Sequence, residues 1–246
     1  MSALPLPIPS QSTKRALEDL LRARKLQRDA PPLRGEDRRL RPLETGVLAV
    51  DTLLAGGFPR GQLSELHGPA SSGRTGLLLA LAARVTRSGL VALVDPLDRL
   101  DPVSAASAGV DLERLLWLRG PRAGGEEPSP KELADASAAV ATLAGSGLFE
   151  LVVLDVAGAG AALRSLPAAT WLRLHRLVEE TPMSLVILGD GHIACSPGGA
   201  SLALEPLGPR WSGSAGPSRL LHALAARARA GRHGLRSAEI VLPSAA

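Results

Sequence analysis

The chain has 246 residues, 45% of them hydrophobic and 21% charged, with a formal net charge of +4; this suits one large α/β domain, or a domain with a small appendage, whose core needs no covalent staples. A single cysteine, Cys195, excludes an intramolecular disulfide and a cysteine-built zinc cluster, so a reducing, cytoplasmic setting is expected. Two Phe, three Trp and no Tyr disfavour a single-strand binder built on aromatic stacking platforms, and apolar runs far short of the ~20 residues of a membrane span leave no transmembrane segment.

Residues 1–12 carry the proline-broken PLPIP and lack a basic start, so they read as an unstructured lead rather than a signal peptide. Thr13 to Arg28 places Ala16, Leu17, Leu20, Leu21 and Ala23 at mostly helical spacing among Arg and Lys, which predicts an amphipathic helix ended by DAPPLRGEDRR. Residues 1–42 therefore form an arm and residues 43–246 the main domain. The helix either folds back on its own domain or docks another protein, with Leu17, Leu20, Leu21 and Arg24 as candidate contact residues. Charge is uneven: Thr13 to Arg41 holds ten Lys/Arg against five acids, Arg210 to Arg236 holds six Arg and no acid, and the middle is net acidic.

From Leu43 onward the pattern changes. GQLSELHG predicts a strand and GLLLALAARVTRS a helix. LVALVD (90–95), LFELVVLDV (148–156) and SLVILGD (184–190) are apolar on successive positions, the mark of strands buried on both faces. Helix-length segments at Pro102 to Ala108, Lys131 to Ala144 and Leu163 to Glu180 separate them, so the fold class is α/β, a mostly parallel sheet flanked by helices. Past Gly199, SLALEP, LLHALAARARA and SAEIVLP predict antiparallel strands at the sheet edge. GPRAGGEEPSP (120–130) reads as a surface loop.

Between the strand GQLSELH and its helix stands Gly68-Pro69-Ala70-Ser71-Ser72-Gly73-Arg74-Thr75. This is the strand-loop-helix context of a phosphate loop, in which glycines let backbone N–H groups surround a phosphate at a helix N-terminus. It matches G-x-x-x-x-G-K-S/T at every position but one: Arg74 stands where a lysine reaches the β- and γ-phosphates, and its planar fork does not fit the slot of a point-like ammonium. Thr75 is the candidate magnesium ligand. Leu151-Val152-Val153-Leu154-Asp155, an apolar strand ending in a carboxylate, has the form of a Walker B element and makes Asp155 the second candidate metal ligand. A tight turn that holds no nucleotide is the alternative reading of the loop.

The stretch LETGVLAVDTLLAGGFPRGQLSELHGPASSGRTGLLLALAARV resembles the start of the bacterial RecA recombinase core, and LVALVDPLDRLDPVSAASAGVDLERLLWLRGP continues the likeness. The resemblance runs over about residues 40–242, densest in its first 80 residues, and implies a RecA-like P-loop core. It also implies roles that this chain has lost. The glutamate that activates the hydrolytic water is Leu97, in Asp95-Pro96-Leu97-Asp98, and a leucine accepts no proton. Asp98, one position on, would point differently and is at best a makeshift base. The adenine-stacking tyrosine is Ser104, while Asp101 keeps the LDP aspartate and with it a candidate place at the nucleotide. The γ-phosphate-sensing glutamine aligns with Asp190, a negative charge facing a negative ligand. Only about GHIACSP stands where the recombinase has its long DNA-binding loop, and the recombinase's C-terminal domain has no counterpart.

A RecA-like chain of about this length with an N-terminal helix resembles the ImuA family, accessory proteins of bacterial mutagenesis cassettes. That resemblance implies a DNA-damage-induced (SOS) role in translesion synthesis through contacts with RecA and with an ImuB-type Y-family polymerase homologue, and through the latter with an error-prone replicative-type polymerase. It implies no required cofactor and no or vestigial ATPase activity, with at most weak ATP and magnesium binding. The alternative is a weak DNA-dependent ATPase or recombinase paralogue. A direct DNA contact through the basic arm and Arg227, Arg229 and Arg232 is a third, weaker expectation. Trp117, Trp171 and Trp211 read as packing residues, Asp51 as an organiser of the segment before the loop, and His192 as a loop residue within reach of the γ-phosphate region.

Overall fold

The computed structural model describes residues 41–120, 127–179, 181–194, 198–213, 219–231 and 236–243. The predicted helix Thr13 to Arg28 lies outside the described residues, as do Cys195 and Arg232.

In chain order the elements are α1 (Leu48–Leu53), β1 (Gln62–His67), α2 (Arg74–Val85), β2 (Val91–Asp95), α3 (Pro102–Ser107), β3 (Leu115–Arg119), α4 (Pro130–Ser146), β4 (Leu151–Asp155), α5 (Gly160–Arg164), α6 (Ala168–Glu179), β5 (Ser184–Gly189), β6 (Ser201–Ser212), β7 (Leu220–Ala230) and β8 (Arg236–Pro243). The strands form one sheet in the order β3-β2-β4-β5-β1-β6-β7-β8. Six are parallel from β3 to β6, and β7 and β8 add antiparallel to the β6 edge.

The unbroken apolar runs become central strands because each residue has a face to fill. Along β4, Leu151 and Val153 enter one core and Val152 and Leu154 the other. The first core joins them to Leu77, Leu78 and Leu81 of α2 and to β6–β8; the second joins them to Leu133, Val140 and Leu143 of α4 and to Leu174 and Val178 of α6. The result is helix, sheet and helix in three layers.

Four details depart from the sequence reading. Leu115–Arg119 is a strand, missed because it is a half-buried edge whose WLR end does not look apolar. Leu163 to Glu180 is interrupted at Pro167 into α5 and α6, a proline being incompatible with an uninterrupted helix there. Ser201–Ala203 of β6 pairs parallel with Glu65–His67, so only its β7 side is antiparallel. β6 also runs on to Ser212, accommodating its prolines with register shifts at Pro206/Gly208 and Arg210/Trp211.

The approach to β1 is tied down locally. Asp51 accepts from the Thr45 backbone N–H (2.7 Å), the Thr45 hydroxyl (2.8 Å) and the Gly46 N–H (3.1 Å), which sets the turn into α1. Leu43 and Phe58 exchange two backbone hydrogen bonds across the bend, and Gly57, at φ +120°, lies where any Cβ would run into the Leu43 carbonyl. Arg60 then enters the interior: it donates to Glu150 (2.8 Å), the Pro182 carbonyl (3.0 Å) and the Arg41 carbonyl (3.0 Å), and both charged side chains are buried.

Candidate functional site

The order β4-β5-β1 sets three strand carboxyl ends side by side, the place where open α/β sheets bind ligands. Asp155 ends β4, Gly189 and Asp190 end β5, and the Gly68–Thr75 loop leaves β1. Gly68 is wedged between the Leu204 carbonyl of β6 and the Ser72 hydroxyl, with no room for a Cβ, and its N–H donates to the Gly189 carbonyl (3.2 Å). Ser71 (φ +60°) and Gly73 (φ +89°) take the left-handed conformations that turn the loop into α2, and Leu242 of β8 packs on Gly73. The Ser72 hydroxyl is buried and unmatched, while Thr75 is exposed on the first turn.

Arg74 is the unexpected member. It is 8% exposed, and its guanidinium turns across the loop instead of outward. Nη1 donates to the Gly68 carbonyl, to the Gly189 carbonyl (3.3 Å) and to Asp190 Oδ1 (2.7 Å). Asp190 Oδ2 accepts from the Gly158 N–H (2.6 Å), so this one carboxylate links the phosphate-loop cation to the loop after β4. Two of the positions where the sequence departs from a nucleotide site, Arg74 and Asp190, thus neutralise each other.

Asp155 is held by the Ala157 N–H (3.0 Å), and desolvation pushes its carboxyl up to about 6; the nearby Asp95 charge adds to the rise, and Arg74 and Arg99 oppose it. Arg99, which the sequence did not single out, donates to the Ala157 carbonyl (2.8 Å) and packs on Gly158. The sign of the linkage is set by the raised value. The folded chain holds a proton on Asp155 that the unfolded chain releases near 4, so the group's contribution to stability falls as pH rises from about 4 to about 6 and is unfavourable above. Asp155→Asn is expected to match the parent near pH 4 and to exceed it in stability by up to about 3 kcal/mol at pH 8, read from urea unfolding at both pH values. A deficit at pH 8 would contradict this.

The remaining candidates are turned elsewhere. Leu97 is 2% exposed and packs in the second core, so the place of the activating glutamate faces the interior. Asp98 receives Nε and Nη2 of Arg119 (2.6 and 2.7 Å), which holds its carboxyl below the ordinary range and engages the makeshift base. Asp101 caps α3, accepting from the Val103 N–H (3.2 Å), the Ser104 N–H (3.0 Å) and the Ser104 hydroxyl (2.5 Å); the hydroxyl is the main cause of its lowered pKa. Its carboxylate and Ser104, the replacement for the tyrosine, satisfy one another. Asp95 accepts from the Arg99 and Leu100 N–H groups and from the Trp117 indole (2.7, 2.9 and 3.1 Å).

Arg227 and Arg229 face Glu239 (3.5 Å) and Glu205 (3.0 Å) across the sheet in exposed pairs. Trp211, 46% exposed, lies under Arg219, and Trp171 packs against the second core. A further group went unread in the sequence: Glu65 and His67 of β1 meet His192 from the loop after β5. Two-residue spacing on one strand was its only local signal, since His192 is brought in by topology alone.

Comparison with known proteins gives one family. Residues 33–164 match the family described as the RecA N-terminal domain. The chain is similar to Protein RecA of Prochlorococcus marinus (strain MIT 9211), 42% identical over 118 residues that make up 48% of this chain and 29% of that protein. It is also similar to Protein RecA of Parasynechococcus marenigrum (strain WH8102), 49% identical over 79 residues, 32% of this chain and 21% of that protein. The chain thus spans less than a third of the length of these curated relatives. Among the described residues no helix is long and apolar enough to cross a membrane.

Proposed function

Because the chain belongs to the RecA N-terminal domain family, with more than half of its residues matched, we propose that it is a RecA-fold adaptor that works by protein contact rather than by ATP turnover. One observation carries the reading: the Arg74 guanidinium is bound to the Gly68 and Gly189 carbonyls and to Asp190. A phosphate loop needs a cation aimed at the ligand and N–H groups around it; here the cation is neutralised from within, and a carboxylate stands at the rim. The loop is a poor fit for a triphosphate, and of the described residues at the place of the activating base, Leu97 is buried in the core and Asp98 is engaged by Arg119.

Within that reading the role is the ImuA-type one. The adaptor acts in the cytoplasm during DNA-damage-induced mutagenesis, contacting RecA and an ImuB-type polymerase subunit, and through that subunit an error-prone replicative-type polymerase. Residues 1–42 are the docking arm and residues 43–246 the scaffold, with Leu17, Leu20, Leu21 and Arg24 as the contact face. The second reading, a weak DNA-dependent ATPase, is favoured by the retention of Thr75 exposed on the first turn of α2 and of Asp155 beside Arg74. The inward turn of Leu97 and the Asp98–Arg119 pair weigh against it.

Deletion of residues 1–30 is expected to abolish co-purification with RecA while leaving the thermal midpoint of the core within a few degrees of the parent. Undiminished co-purification would remove the arm from the interface.

A further inference from the structure

We propose that Glu65, His67 and His192 form a binding site for a first-row transition-metal dication of the zinc class, distinct from the magnesium position of a phosphate loop. Their ligand atoms all lie within 4.8 Å of one another. In a tetrahedral shell, ligand atoms about 2.1 Å from the metal lie roughly 3.4 Å apart, so a shift of about 1.4 Å closes the shell. His192 is 41% exposed and sits on a loop, so the shift falls to it, whereas Glu65 and His67 stand two residues apart on one face of a central strand.

Ligand orientation is already built in. Glu65 Oε1 accepts from the Ile193 N–H (3.2 Å) and the Ala194 N–H, and Oε2 is left facing His192 Nδ1. The Ser201 hydroxyl sits 3.3 Å from His67 Nε2 and fixes that ring. Supporting contacts of this kind set the direction of metal ligands. The carboxylate is 3% exposed, and a dication would offset the cost of burying its charge. Two imidazoles and one carboxylate select zinc, cobalt, nickel or copper over magnesium or calcium, which prefer all-oxygen shells.

The location gives the site a consequence. His67 immediately precedes Gly68, and His192 follows Asp190 by two residues, so a bound metal would fasten the end of β1 to the loop that holds Arg74. This proposal stands apart from the adaptor reading, since a metal clip is compatible with either fate of the phosphate loop.

The test is titration of the chelator-stripped full-length chain with cobalt(II), followed by visible absorption, and then displacement by zinc(II). One cobalt per chain is expected, unaffected by millimolar magnesium, with a rise in the thermal midpoint. His192→Ala and Glu65→Gln should each weaken binding at least a hundredfold, whereas His222→Ala, on β7, should leave it unchanged. Absence of cobalt binding below millimolar concentration, or binding that survives both His192→Ala and Glu65→Gln, would overturn the site and leave Glu65 and His192 as a contacting polar pair.

Discussion

Arg74→Ala is expected to destabilise the chain by about 2–4 kcal/mol in the absence of any nucleotide, measured by urea unfolding. The size follows from what the side chain holds. Its guanidinium is buried and serves two carbonyls and one carboxylate, so truncation takes a donor from the Gly68 carbonyl, leaves the Gly189 carbonyl with the Gly68 N–H, and deprives Asp190 of its cation. Asp190 is half-exposed, and its share of the loss is the smaller one. A phosphate-binding arginine behaves in the opposite way: without its anion it is a crowded, uncompensated charge, and removing it costs the free protein nothing or stabilises it. A change below about 0.5 kcal/mol would therefore show that Arg74 is kept for a ligand.

Arg60→Ala is expected to have a larger effect, about 3–5 kcal/mol, by the same measurement. The pair it breaks is more deeply enclosed than that of Arg74: the side chains of Arg60 and Glu150 are 7% and 5% exposed. Glu150 starts the approach to β4 and packs against Gly89, Arg60 leads into β1, and the Pro182 carbonyl bound by the same guanidinium precedes β5. One cation thus ties the entry ends of the three strands whose exit ends carry the site. Replacing both partners by apolar residues of similar volume, Arg60→Met with Glu150→Leu, should recover part of the loss, because no charge is then left buried. A loss under 1 kcal/mol for Arg60→Ala would mean that water reaches Glu150 and that the clamp is not what holds these strands.

The sheet was legible because its physics is local. VALVD, LVVLD and SLVILG must be buried on both faces, and helices of suitable length alternate with them, so a parallel three-layer fold follows with little ambiguity. The loop Gly68–Thr75 was legible for a similar reason, as its glycines and the helix behind it are contiguous. β3 was not, since it is an edge strand whose Leu115 and Trp117 are only partly covered by the first core and whose last residue, Arg119, is exposed.

The site's own chemistry was the least readable part. Sequence placed Arg74 at the phosphate and Asp190 near the same ligand as two separate defects. Only the adjacency of β1 and β5 makes them partners. Asp101 carried a family role in the sequence and a capping role in the fold, and a single residue before Pro102 at a helix start satisfies both patterns. His192 is far in sequence from Glu65 and His67 and meets them because β5 lies beside β1, a fact that no spacing rule contains.

The most direct test of the account is a nucleotide titration and turnover assay on the full-length chain, with magnesium and with or without single-stranded DNA. The account predicts no saturable ATP binding at micromolar concentration and no hydrolysis above background. It also predicts that Arg74→Lys restores neither, because Asp190 remains to capture the ammonium, Leu97 still stands at the place of the activating glutamate and Asp98 stays bound to Arg119. Hydrolysis that rises with single-stranded DNA and disappears in Asp155→Ala would contradict it.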